Sequence, residues 1–111
     1  MRGGHRRYVH HEVPRTTPDG AGGFEAGWLA NGGLWVELRE RSRRLRADDL
    51  GPASELRARI VLRAAPDGHP NRVEPGDRFR ELARVWIVEA VHQDDGRQHC
   101  DARAAAPEAE R

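Results

Sequence analysis

No lysine occurs in this chain, and its basic charge is carried by 19 arginines. The codon bias of a GC-rich genome accounts for that by itself. The functional alternative is a preference for forked, permanently charged donors at interfaces. Cysteine is nearly absent too. With Cys100 alone, no intrachain disulfide can form, and a cysteine-based metal cluster would need other ligands. No apolar run approaches the ~20 residues of a membrane helix. Residues 1–8 carry arginines without the apolar stretch of a secretory signal. The expectation is a soluble chain made in the cytoplasm, with no membrane partner. Excess charge of one sign is also missing. The 18 acidic residues leave a net charge of +1, so overall charge gives no nucleic-acid signal.

Catalytic patterns are missing as well. Ser42 and Ser54 lack a G-x-S-x-G setting, and Gly20, Gly22 and Gly23 lack the Lys-Ser/Thr that completes a phosphate loop. Asp19, Asp94 and Asp95 stand beside glycines, where turn chemistry explains them better than calcium or hydrolysis. The histidines occur partly in adjacent pairs, His10-His11 and His99-Cys100. Neighbours on a strand point to opposite faces, so neither pair chelates readily. A cross-strand pairing of His11 with His99 or Cys100 stays open. The expectation is no metal, no cofactor and no enzyme activity.

What is there reads as one small domain. Large apolar residues cluster around 34–38, 56–62 and 85–91, enough for a modest core and too little for a deep cleft. A compact chain of this length has a radius of gyration of roughly 13 Å. Residues 14–23 (PRTTPDGAGG), 48–54 and 66–75 are dense in turn formers and read as loops. Asn31-Gly32-Gly33 and Asp94-Asp95-Gly96 read as turns. Leu34, Val36 and Leu38 alternate with Trp35, Glu37 and Arg39, as do Leu56, Ala58, Ile60 and Leu62 with Arg57, Arg59 and Arg63. That is the period of half-buried strands. Residues 77–91 fit two readings. Phe79, Leu82, Ala83, Trp86, Ile87 and Ala90 fall at helical spacing, while Val85-Trp86-Ile87-Val88 favours a strand. Frequent Gly/Pro loops between short segments favour an all-β fold. It would be a small barrel or sandwich with a long loop between its central strands and room for one helical turn near 76–82. The domain is expected to span 1–102, with 103–111 a mobile tail.

The order of these segments resembles the phage head-tail joining family. The run PDGAGGFEAGWLANGGLWVELRERS (18–42) is similar to that family's opening, with an Asp-Gly-x-Gly-Gly turn, a Trp and a Leu-Trp strand. The run IVLRAAPDGHPNRVEPGDRFRELARVWIVEAV (60–91) is similar to its middle. The likeness looks closest to the version in gene transfer agents. It implies a small β-barrel-like head-closure, or stopper, subunit without catalytic residues. Such a subunit forms a ring of its own copies, with a hexamer expected. The ring sits in the neck between the portal adaptor and the tail terminator, around packaged double-stranded DNA. It would assemble in the bacterial cytoplasm and end in the particle neck. The final strand departs from the pattern, with polar Gln98-His99-Cys100 where a bulky apolar residue is usual.

Two sets of residues are singled out. Arg41, Arg43, Arg44 and Arg46, followed by Asp48 and Asp49, fall on the excursion between two expected strands. A 42–54 loop folded on itself reaches roughly 20 Å, enough to enter a ring lumen. Its arginines would face DNA phosphates or a neighbouring subunit's acids, or the loop could plug the channel. The plain alternative is a solvated basic surface balanced by Asp48 and Asp49. A nucleic-acid-binding β module using Arg41–Arg46 is the alternative function. Among the tryptophans, Trp86 is expected in the core. Trp28 and Trp35 are divided between core and interface, alternation placing Trp35 on the outer face.

Overall fold

Apolar side chains at every second position organise the chain into strands. The computed structural model describes residues 5–45, 53–66, 68–82 and 84–105. Among them lie six strands: β1 (His5–Pro18), β2 (Phe24–Leu45), β3 (Ala53–Arg63), β4 (Arg78–Glu81), β5 (Arg84–Asp94) and β6 (Arg97–Ala105). All pairings are antiparallel, and the order β1-β2-β3-β6-β5-β4 closes as a barrel. The all-β expectation holds, in its barrel form.

Closure puts the inward phase of each strand into one core. Leu38 faces Ile60 and Ile60 faces Cys100, so one buried row crosses β2, β3 and β6. Val9, Val36, Ala58, Leu62, Phe79, Trp86, Val88 and Ala102 complete the filling, and Val73 packs against it from the loop before β4. Trp86 is fully buried, as its segment suggested.

Several expected boundaries move. Residues 76–82 hold no helical turn. Gly76 and Asp77 form a turn whose backbone bonds to Val88, and Arg78–Glu81 is strand β4. The helical spacing of Phe79, Leu82 and Trp86 is a by-product of the β4–β5 hairpin, which inserts a turn at Leu82 between two inward phases. The Asn31-Gly32-Gly33 signal marks a β-bulge inside β2 rather than a chain reversal. His10 faces Gly33 and Glu12 faces Ala30, so Asn31 and Gly32 together oppose His11. Gly32, at φ 93°, supplies the left-handed residue such a bulge requires. Residues 42–45 and 53–54 of the expected 42–54 loop are paired strand, and 46–52 lie outside the described residues. Residues 103–105 of the expected tail are strand, since β6 runs through Ala105, and 106–111 lie outside the described residues. Asp95 and Gly96, at φ 54° and 76°, make the hairpin turn read at 94–96.

Polar Gln98 is fully buried, and the reason is the loop before β4. Its Oε1 accepts from the Val73 amide at 3.1 Å, and its Nε2 donates to the Val73 carbonyl at 2.9 Å. The side-chain amide thus replaces a strand neighbour for Val73 and closes one barrel end. An apolar residue there would leave two buried backbone groups unpaired.

The β1–β2 ribbon leaves the barrel beyond the bulge. Residues 13–18 pair with 24–29, while β4 pairs with β1 only at His10, His11 and Glu12. Its tip is tied by Asp19, whose Oδ1 accepts from the amides of Ala21 and Gly23 at 2.8 and 3.1 Å. At the other end of β2, the β2–β3 ribbon runs past the last β3–β6 pair, Arg57 with Arg103. These projections explain a radius of gyration of 15.5 Å, above the compact expectation.

Replacing Gln98 with Ala should cost about 1–3 kcal/mol, the price of two buried unpaired groups, read as a fall in urea midpoint with unchanged slope. Burial pushes the Cys100 thiol up to about 12, with the charges of Asp101 and Asp77 adding to it. Thiol reagents at pH 8 should therefore leave Cys100 unmodified in the native chain and label it on unfolding. Rapid native labelling would contradict this placement.

Candidate interaction surface

The outward phase of β2, β3 and β6 concentrates arginine. Arg41 faces Arg57, and Arg57 faces Arg103. Arg39 faces Arg59, which faces Asp101, and Arg63 faces Arg97. Like charges directly opposite each other destabilise a sheet unless something lies between them. Part of the face is compensated internally. Arg57 bonds Glu89 and Glu55, Arg59 bonds Asp101 at 2.7 Å, and Arg103 reaches Glu89 at 3.0 Å. The bond to Glu89, against a smaller opposing effect of burial, raises the Arg57 guanidinium pKa. Arg39, Arg41, Arg63 and Arg97 are exposed and have no acidic partner among the described residues.

An aromatic patch adjoins this face. Trp35 is 57% exposed, on the outer face as alternation placed it. Tyr8 meets it edge-on with ring centroids 5.4 Å apart, and the Arg6 guanidinium lies 5.6 Å from its ring. Trp28 is half-buried at the base of the β1–β2 ribbon, with the Arg78 guanidinium 4.2 Å from its ring. Phe24, 71% exposed, lies near the ribbon tip.

Under Trp28 is a buried charge cluster that fixes where the ribbon leaves the barrel. Glu12 takes Arg78 Nε on one oxygen at 2.5 Å and Arg80 Nη2 on the other at 2.7 Å. Burial pushes the Glu12 carboxyl up, but the bonds from Arg80 and Arg78 outweigh it and hold the pKa below its usual value. Next to it, His11 Nε2 sits 2.8 Å from Asp77 Oδ2, and its Nδ1 faces Asn31 Nδ2 at 3.2 Å. The Asn31 amide also donates to the Pro70 carbonyl at 2.6 Å. An amide nitrogen only donates, so His11 Nδ1 accepts and Nε2 carries the proton to Asp77. This dyad ties the bulge to the loop before β4, and it pairs His11 with neither His99 nor Cys100.

Of the residues singled out in the sequence, Arg41 lies on the outer face of β2, and Arg43 and Arg44 continue that strand opposite Glu55 and Ser54. They are therefore strand rather than loop residues. Arg46, Asp48 and Asp49 lie outside the described residues. Sequence reasoning missed Arg63, Arg97 and Arg103 as parts of the same face. The polar phase of β3 was visible, but nothing local says that β6 lies beside it. It also missed His11, Asn31 and Asp77, which are far apart in the chain. Among the described residues no cluster of three His, Cys, Asp or Glu side chains could hold a metal ion.

Glu12 generates a pH prediction. Its folded-state pKa lies below its unfolded value near ~4.3. The stabilisation is thus present above ~4.3 and lost as pH falls through the lower folded value. Glu12→Gln should cost about 3 kcal/mol at pH 7, by stranding buried arginine charge, and should flatten the loss of stability in acid. Urea midpoints measured from pH 7 to pH 3 check both.

Known proteins that match this chain include a family and a solved structure. The family described as "Phage head completion protein" matches residues 1–105. A chain in the solved structure "Virion of native gene transfer agent (GTA) particle" is similar at 34% identity and a TM-score of 0.72, over 90% of this chain and 94% of that one. No curated protein matches.

Proposed function

The chain belongs to the phage head completion protein family, and on that premise we propose that it is a non-enzymatic head-closure subunit in the neck of a phage-like particle of gene-transfer-agent type. Copies of it form a ring, with a hexamer expected, held between the portal adaptor and the tail terminator. Packaged double-stranded DNA passes through the ring. The observation that carries this reading is the pair of ribbons projecting from the two ends of β2. A two-stranded ribbon is marginally stable in water, and one bearing exposed Phe24 and Leu29 gains stability by lying on a neighbour. A closed barrel with two such ribbons suits a repeating wall better than a free monomer. Trp28, half-buried at the base of the β1–β2 ribbon, and Trp35, exposed on the outer face, are the tryptophans assigned to contacts between subunits.

The β2–β3 ribbon is the natural channel element. It carries Arg41, Arg43 and Arg44 towards the Arg46, Asp48 and Asp49 stretch, and its mixed charge would touch DNA phosphates without holding them firmly. Particles made without this chain should contain filled heads that fail to join tails and lose DNA to nuclease. Normal tail attachment in its absence would end the head-closure reading. Removing residues 46–51 should leave a soluble protein whose tailless heads leak DNA. Full DNA retention with that deletion would exclude the ribbon as plug and leave it a packing element between subunits.

A further inference from the structure

His11 joins three elements that lie far apart in the chain. Its buried ring belongs to β1, its Nδ1 partner Asn31 to the β2 bulge, and its Nε2 partner Asp77 to the turn before β4. Backbone groups fix both ends of this hydrogen-bond chain. The Pro70 carbonyl, 2.6 Å from Asn31 Nδ2, only accepts, so the amide nitrogen and not the oxygen faces the loop and His11. At the other end the Glu74 amide donates to Asp77 Oδ2 at 3.0 Å, the same oxygen that takes the His11 Nε2 proton at 2.8 Å. One arrangement of protons satisfies the whole chain, and in it His11 is neutral.

A second proton can enter the ring only at Nδ1, where it meets the donor hydrogens of Asn31 at 3.2 Å. Turning the Asn31 amide over would give that proton an acceptor. It would also set Oδ1 against the Pro70 carbonyl, acceptor against acceptor. The charged ring therefore keeps its bond to Asp77, now charge-assisted on both sides, and loses the tie between Asn31 and Pro70. Neighbouring groups do not alter this choice. Glu12, next to His11 on β1, is committed to Arg78 and Arg80 of β4. Phe79 of β4 presents an uncharged ring 5.5 Å from the imidazole. Cys100 of β6, which feels Asp77, is a neutral thiol with its pKa pushed up to about 12. His69, beside Pro70, accepts from the Asn71 amide through its own Nδ1.

We propose that His11 is an acid-operated latch, which when neutral holds the β2 bulge to the loop before β4 and when protonated releases Pro70 and frees the base of the β1–β2 ribbon. Histidine is the side chain whose charge ordinarily changes between about pH 5 and 8. The Gln98–Val73 bonds involve no group that titrates there, so the barrel end they close stays shut while the ribbon base loosens.

The test follows nitrogen and proton resonances of the isolated chain by NMR from about pH 8 to about pH 5, and so stands apart from the head-closure reading. At the alkaline end His11 should carry its proton on Nε2 only. On acidification the Asn31 side-chain amide and the Gly32 backbone amide should shift together with the His11 ring, while the Gln98 side-chain amide stays fixed. His69→Gln should leave that transition in place. Asn31→Asp sets an acceptor opposite Nδ1 and should raise the proton affinity of His11 about tenfold or more, roughly one pH unit. Should that variant not fold, the titration of the native chain still decides. A ring doubly protonated at the alkaline end, or uncharged throughout, overturns the latch. So does an Asn31 amide that ignores the ring's titration, a transition lost in His69→Gln, or unchanged affinity in folded Asn31→Asp.

Discussion

Barrel closure depends on a seam three residue pairs long, where His10, His11 and Glu12 of β1 meet Arg80, Phe79 and Arg78 of β4. Backbone pairing alone is thin there, so side chains reinforce it. Glu12 bridges Arg78 and Arg80, and His11 bridges Asp77 and Asn31. Glu12 and His11 are both buried, and both would be costly to leave unpaired. The bulge at Asn31-Gly32 falls beside the seam and turns β2 away from it. The β1–β2 ribbon therefore departs where the barrel is held most by polar contacts.

That arrangement divides the molecule into parts with different energetics. The core is apolar and closed by Gln98, which supplies peptide-like hydrogen bonds to Val73 where no strand reaches. The projecting ribbons lie beyond that core, and the β1–β2 ribbon exposes Phe24 and Leu29. The outer face is charged, and its exposed ion pairs are individually worth about 0–1 kcal/mol. Their effect is on geometry. Glu89 and Asp101 hold Arg57, Arg59 and Arg103 in place, while Arg39, Arg41, Arg63 and Arg97 stay exposed.

Strand type was legible wherever one face is buried, as at 34–38 and 56–62, because the two-residue period survives any tertiary context. The 77–91 stretch was ambiguous because a hairpin of two short strands can imitate helical spacing. The glycine signal at 31–33 was correctly read as special backbone and wrongly read as a reversal, since a left-handed glycine serves a bulge as well as a turn. Of the surface, the outward Trp35 and the cluster around Arg41 were visible in sequence. The pairing of Arg63 with Arg97 was not.

Of the loop read at 14–23, residues 14–18 are strand β1, whereas the sequence by itself determined the alternation of strands, the turn at 94–96, the lack of any intrachain disulfide, and a likeness carried by ordered segments. These are local properties, set by side-chain period and backbone preference. Tertiary structure alone decided that β3 lies against β6, that β4 closes the ring of strands, and that His11 finds Asp77. Those contacts join residues dozens of positions apart, and their selection follows from burying every inward face at once, a condition that no short stretch can express.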